Sequence, residues 1–95
     1  MAAYLIADID VTDPAGFEEY RSKVGPMIAK WGGKYLVRGG SFEKLEGDWT
    51  PSRLVVLEFE DMKRLQEFYH SDEYRPLLGI RQRSTNSSVV IVEGV

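Results

Sequence analysis

Cysteine is absent from this 95-residue chain, histidine occurs once, and no apolar run approaches the ~18 residues that a membrane-spanning helix requires. Without cysteine there are no disulfides, no thiolate nucleophile and no thiolate metal site, and redox argument does not fix the compartment. Surplus positive charge is also missing: 12 basic residues stand against 15 acidic ones, mixed along the chain, for a net charge of −3. A nucleic-acid binder carries a basic footprint, so nucleic acid is not an expected partner. The run Arg38-Gly39-Gly40 is not repeated and lies between apolar segments, unlike the repetitive RGG tracts that bind RNA. Neither a Gly-x-Ser-x-Gly elbow nor a phosphate-loop glycine spacing is present, which leaves nucleophilic serine and nucleotide chemistry without support. The opening "MAAYLIADID" meets acidic residues too early for a secretory signal, so no membrane association is expected and the cytoplasm is the expected location. A chain of this length supports one modest core, and residues 1–95 are expected to form one domain.

Within those bounds the hydrophobic pattern is informative. Tyr4 to Val11 alternates as a strand, with Leu5, Ala7, Ile9 and Val11 on one face and Tyr4, Ile6, Asp8 and Asp10 on the other. Thr12 or Asp13 then caps a helix in which Phe17, Tyr20, Val24, Met27, Ile28 and Trp31 form one stripe. Pro26 should bend or locally break that helix, and Gly32-Gly33 should end it. From Lys34 the chain is extended again. The dense turn signal "EGDWTPS" suggests a hairpin there, with Lys34 to Glu46 as one long strand and Gly39-Gly40 as a bulge or bend within it; a turn at Gly39-Gly40 is the alternative. "RLVVLEFE" is a further strand, Asp61 can cap a second helix carrying Met62, Leu65, Phe68 and Tyr69 on one face, and "SSVVIVEGV" is the last strand. Between them Tyr74, Leu77, Leu78 and Arg81 share one side of a short helix.

The order βαββαβ with right-handed crossovers gives an α+β, ferredoxin-like unit: a four-stranded antiparallel sheet with its helices on one face. Its other face would carry Tyr4, Ile6, Leu54 and Val56 with no helix to cover them, and a homodimer with sheets face to face is the simplest cover. The helix start at Asp13-Pro14 with Tyr20 downstream, "GGKYLVRGG", "LEGDW.P.RLVVLEF" and "FYHSDEY" together resemble the family catalogued as domain of unknown function 1330, in the dimeric α+β barrel superfamily. The resemblance runs nearly end to end. It implies a homodimer and a cavity between the sheet and its surrounding loops, and it carries no settled activity. Superfamily relatives include cofactor-independent monooxygenases, haem-degrading enzymes and small isomerases, along with members with no known catalysis.

Candidate site residues follow from the expected geometry. With the first and third strands taken as parallel neighbours, Asp8, Asp10 and Glu58 fall at one end. A hairpin turn at "EGDWTPS" sets Arg38 opposite Phe59 to Asp61, at that same end. Arg38 is then a ligand-binding residue or an internal partner of Glu58 or Asp8, and Glu58 or Asp8 is a catalytic base with a pKa raised by its acidic neighbours. Trp49 in the turn, Tyr74 before the short helix and Arg81 on its apolar side complete a candidate ligand-binding set. His70 projects away from Leu65 and Phe68 and reads as a surface helix end rather than a base or haem ligand. Tyr20 and Tyr69 read as packed core residues. No metal site or cofactor is expected, because carboxylates without His or Cys at ligand spacing are a weak signal. The expected function is binding of a small anionic or aromatic molecule, with proton transfer or cofactor-free oxygenation as the reaction classes. The alternative is a non-catalytic dimer whose interior is filled by side chains.

Overall fold

Strict alternation makes β1 (Ala3–Val11), whose Ala3, Leu5, Ala7 and Ile9 are buried while the residues between them face the other way. The computed structural model describes residues Met1–Val95. Asp13 caps α1 (Pro14–Lys30), accepting a hydrogen bond from the Gly16 amide, and Pro14 opens the first turn where its missing N–H costs nothing. Tyr20, Val24 and Ile28 are the buried stripe of this helix. The helix runs unbroken through Pro26, which lies on its exposed side, so the expected local break does not occur.

β2 is Lys34–Arg38 and β3 is Leu54–Phe59, with α2 (Met62–Tyr69), α3 (Arg75–Ser84) and β4 (Thr85–Glu93) following. The sheet order is β2-β3-β1-β4 and every neighbouring pair is antiparallel. Val55, Leu57 and Phe59 of β3 join the β1 residues and Leu65, Phe68, Tyr74 and Leu77 in one core, which puts the helices on one face of the sheet. This is the ferredoxin-like α+β architecture expected from the element order, with its second helix divided into α2 and α3. None of the helices is long and apolar enough to cross a membrane.

Two expectations about register are corrected. β1 and β3 run antiparallel, with Tyr4 opposite Glu58 and Asp8 opposite Leu54, so Asp8 and Glu58 lie at opposite ends of the pair. The long second strand does not form either. Gly39 takes φ +70° and donates its N–H to the Leu54 carbonyl, closing the pairing at once, and residues 39–53 leave as a loop. Arg38 therefore sits opposite Val55, four to six residues from the Phe59 to Asp61 position that a turn at "EGDWTPS" would give it. A bulge between Tyr35 and Val37 restores the face: Tyr35 pairs with Leu57 and Arg38 with Val55, both on the helix side.

Candidate functional site

The space between sheet and helices is not filled. A cavity of about 50 Å³ remains. A single water occupies roughly 10–15 Å³, so water enters before any side chain moves. Of its eighteen lining residues fourteen are hydrophobic, and the other four are Arg21, Arg38, Arg53 and Arg81. No carboxylate and no histidine lines it, so its local charge is wholly positive in a chain whose net charge is −3.

The deep end is built by α1, α2 and α3. Tyr20 of α1 and Tyr74, the residue before α3, share a hydrogen bond between hydroxyls at 2.8 Å, and their rings meet edge to face. Tyr69 from the end of α2 lies with its ring centre 5.5 Å from that of Tyr74. One turn and a half along α3, Arg81 is only 5% exposed and donates to the Tyr69 hydroxyl at 3.0 Å. It has no carboxylate partner. Burial works to lower the Arg81 pKa, but the oxygens of Tyr74, Tyr20 and Tyr69 outweigh it and hold the guanidinium above its ordinary value, so it stays charged. Burial, and then the neighbouring Tyr74, push the Tyr20 phenol far upward, which keeps it a neutral hydroxyl. A cation without a counter-ion among three phenols, in a chamber that no acid lines, is a donor array suited to an oxygen with negative charge.

The outer end is built by β2, β3 and α1. Arg38 stacks over the Tyr35 ring at 4.3 Å, and Arg53, which continues the helix-facing alternation of Val55, Leu57 and Phe59, lies 5.9 Å from the Phe17 ring centre. The Arg53 Nε is buried with no hydrogen-bond partner. Arg21 of α1 is tied to Glu18 at 3.1 Å on the exposed helix surface. Burial raises the Tyr35 phenol pKa, so this residue too is neutral.

The expected site residues therefore separate. Arg38, Tyr74 and Arg81 converge on the cavity. Asp8 and Glu58 lie on the opposite side of the sheet, because in β1 and β3 the core residues alternate with them, and Trp49 of the 39–53 loop is bonded to Asp8. Asp8 accepts from the Trp49 indole N–H and from the Ser52 amide, both at 2.9 Å, and these bonds, the indole first, hold its pKa below the ordinary value. A raised pKa does not arise. Glu58 pairs with Lys34 at 3.1 Å instead of with Arg38. Both carboxylates are removed from the cavity as candidate bases, and Trp49, 60% exposed, lines no part of it. His70 ends α2, exposed, as its helical projection indicated. No group of three or more His, Asp or Glu side chains gathers closely enough to hold a metal ion.

Sequence reasoning missed Arg53, Arg21 and Tyr35 and placed Tyr20 and Tyr69 only in the core. The signal for Arg53 was present: it precedes Val55, Leu57 and Phe59 in the same period-two series.

A family model described as "Domain of unknown function (DUF1330)" matches residues 2–95. Among solved structures, a protein of unknown function from Rhodopseudomonas palustris, RPA0582, superposes with a TM-score of 0.80 at 16% identity, over 99% of this chain and 82% of that one. SnoaB, a cofactor-independent oxygenase from Streptomyces nogalater, gives a TM-score of 0.66 at 12% identity, over 99% of this chain and 93% of that one. An antibiotic biosynthesis monooxygenase gives 0.59 at 13% identity, over 100% and 99% of the two chains. At these identities the likeness shows the fold alone. No curated protein matches the chain.

Proposed function

Because this chain belongs to the DUF1330 family, which is named for lacking an assigned function, we propose from the cavity itself that the protein binds a small aromatic or enolic molecule as its oxygen anion. The observation that carries this reading is Arg81, a buried guanidinium with no carboxylate partner, facing a chamber that no acid lines. Charge in such a place is costly to structure, and a ligand oxyanion is the partner that would compensate it. Arg81, with the Tyr69 and Tyr74 hydroxyls, receives the oxygen; Arg38, held against Tyr35, orients the ligand from the outer end. A guanidinium beside a phenol or enol favours its deprotonated form, so the site prepares an electron-rich anion without a cofactor. Proton transfer or oxygenation of that anion by dioxygen are the reaction classes that suit it, and the likeness in fold to a cofactor-independent oxygenase is an analogy that points the same way. The proton leaves to water at the outer end, since no carboxylate lines the chamber. The functional unit is a homodimer, in which a second copy covers the exposed apolar residues of the other sheet face, among them Leu36, Val37, Val90 and Val92.

The test is thermal denaturation of the wild type, Arg81→Gln and Arg38→Ala with a panel of phenols, enolic diketones and quinols. A ligand at a hundred times its Kd stabilises by about 2.7 kcal/mol, which is many degrees in a domain of this size. A compound that raises the melting temperature of the wild type and fails with Arg81→Gln is the expected result. An equal rise in both proteins would remove Arg81 from the site.

A further inference from the structure

Three arginines meet at the outer end of the chamber. Arg21, Arg38 and Arg53 line both the chamber and a polar surface depression in which Glu18 is the only acidic residue, and Glu18 is already engaged by Arg21. Arg38 and Arg53 have no carboxylate within salt-bridge distance; each is placed against an aromatic ring, Tyr35 and Phe17 respectively. The Arg53 Nε is buried and unpartnered, an uncommon state for a strong donor. Gly39 makes room for this guanidinium: a Cβ built on residue 39 would collide with it, and the glycine holds φ +70°. Arg81 closes the other end, so the chamber has cations at both ends and only apolar and phenolic residues between them.

From this arrangement we infer that the ligand has two anionic ends: a carboxylate held at the mouth by Arg38 and Arg53, and a phenol or enol oxygen held inside by Arg81 and Tyr74, joined by a flat apolar body. The inference rests on the proposed reading of the deep end and adds the substrate class, an aromatic or enolic hydroxy acid. Planar guanidinium groups match a carboxylate with paired donors, and Arg53 reaches the ligand from a position fixed by its packing on Phe17 and Gly39. Arg21 contributes field rather than a fixed contact, because Glu18 holds it.

Four probes separate the two ends in calorimetric titrations: phenol, benzoate, and two hydroxy acids carrying both groups, 4-hydroxybenzoate and the longer 4-hydroxycinnamate. At least one hydroxy acid is expected to bind tenfold or more tighter than either phenol or benzoate, roughly the gain from one charge-assisted hydrogen bond. Arg53→Gln should weaken the hydroxy acid and benzoate by about tenfold and leave phenol unchanged. Arg81→Gln should do the reverse, weakening phenol and the hydroxy acid and sparing benzoate. Arg38→Gln serves as the second mouth variant if Arg53→Gln does not fold, as judged by circular dichroism. Phenol binding that needs Arg81, with hydroxy acids no tighter and both mouth variants neutral, would overturn the mouth site and leave the deep-end reading standing. Benzoate binding lost in the mouth variants, with phenol not binding, would instead overturn the two-ended ligand through its deep end. Failure of every probe at tens of millimolar overturns both.

Discussion

Arg81 occupies a helix position that packing alone would give to Leu or Met, between Leu77 and Ser84 on the buried side of α3. It donates to the Tyr69 hydroxyl and no carboxylate pairs with it, so phenol oxygens without a formal charge are what the chain sets against its desolvation. Arg81→Met keeps the volume and removes the charge. It is expected to leave stability unchanged or raise it by about 1 kcal/mol, some 4–8 °C in melting temperature, while losing any ligand-induced shift. A drop of several degrees without ligand would mark Arg81 as a structural residue. Tyr74 answers differently, because its hydroxyl is the partner of the buried Tyr20 hydroxyl. Tyr74→Phe should cost about 1–3 kcal/mol in urea denaturation, and Tyr20→Phe added to it should cost less than the sum of the single changes, since the second change removes the orphaned group. Arg81 and Tyr74 were legible in the sequence for a physical reason: a charge on an apolar helix side and a large aromatic in a connection both break the local pattern. Asp8 and Glu58 were misread twice over: alternation already put them on the sheet face away from the helices, and strand direction, which pattern does not report, sets them at opposite ends of the β1–β3 pair.

The elements themselves were legible, β1, α1, β3 and α2 within a residue or two, because their periods are strong and Asp13 and Asp61 cap both helices. The segment after β2 was not. "EGDWTPS" carries turn chemistry, yet what holds residues 39–53 is a long-range clasp, Trp49 and Ser52 on Asp8, that no local pattern encodes. That clasp titrates. The folded pKa of Asp8 lies below its unfolded value near 3.9, so its contribution is fully present above that pH and disappears as pH falls through the lower folded value. The stability difference between wild type and Asp8→Ala should therefore be constant from about pH 6 to 8 and shrink below about pH 4. A difference that does not change between pH 7 and 3 would mean the carboxylate charge is irrelevant to the loop. Gly39→Ala acts at the other end of the same loop, where it meets both a positive φ and the Arg53 guanidinium. It is expected to cost on the order of 1 kcal/mol or more, read as a fall in melting temperature, whereas Gly40→Ala, which meets open space, should be nearly silent.

Taken as a whole the molecule sets two surfaces on either side of one sheet. The helix side holds a chamber lined by four arginines and no acid, inside a protein of net charge −3, so an anion is attracted only where the field of the chamber outweighs that of the surface. The other side leaves Val90 60%, Leu36 48% and Val92 46% exposed, beside the half-buried Tyr4, Ile6 and Val56. Scattered apolar residues on a surface need no explanation; a patch contiguous across all four strands does. A second copy fits the requirement because a two-fold axis through the sheet would set each patch on its equal, with Glu58 and Lys34 already paired within one chain and so not left as unmatched charges. Val90→Glu, on the edge strand β4 where a charge is tolerated in a monomer, is the change that separates the possibilities. Sedimentation equilibrium is expected to give twice the chain mass for the wild type and the single-chain mass for Val90→Glu. The variant should melt at a temperature that does not depend on concentration, unlike the wild type. If the wild type sediments as a monomer, the apolar face has another occupant and the chamber works in a single chain.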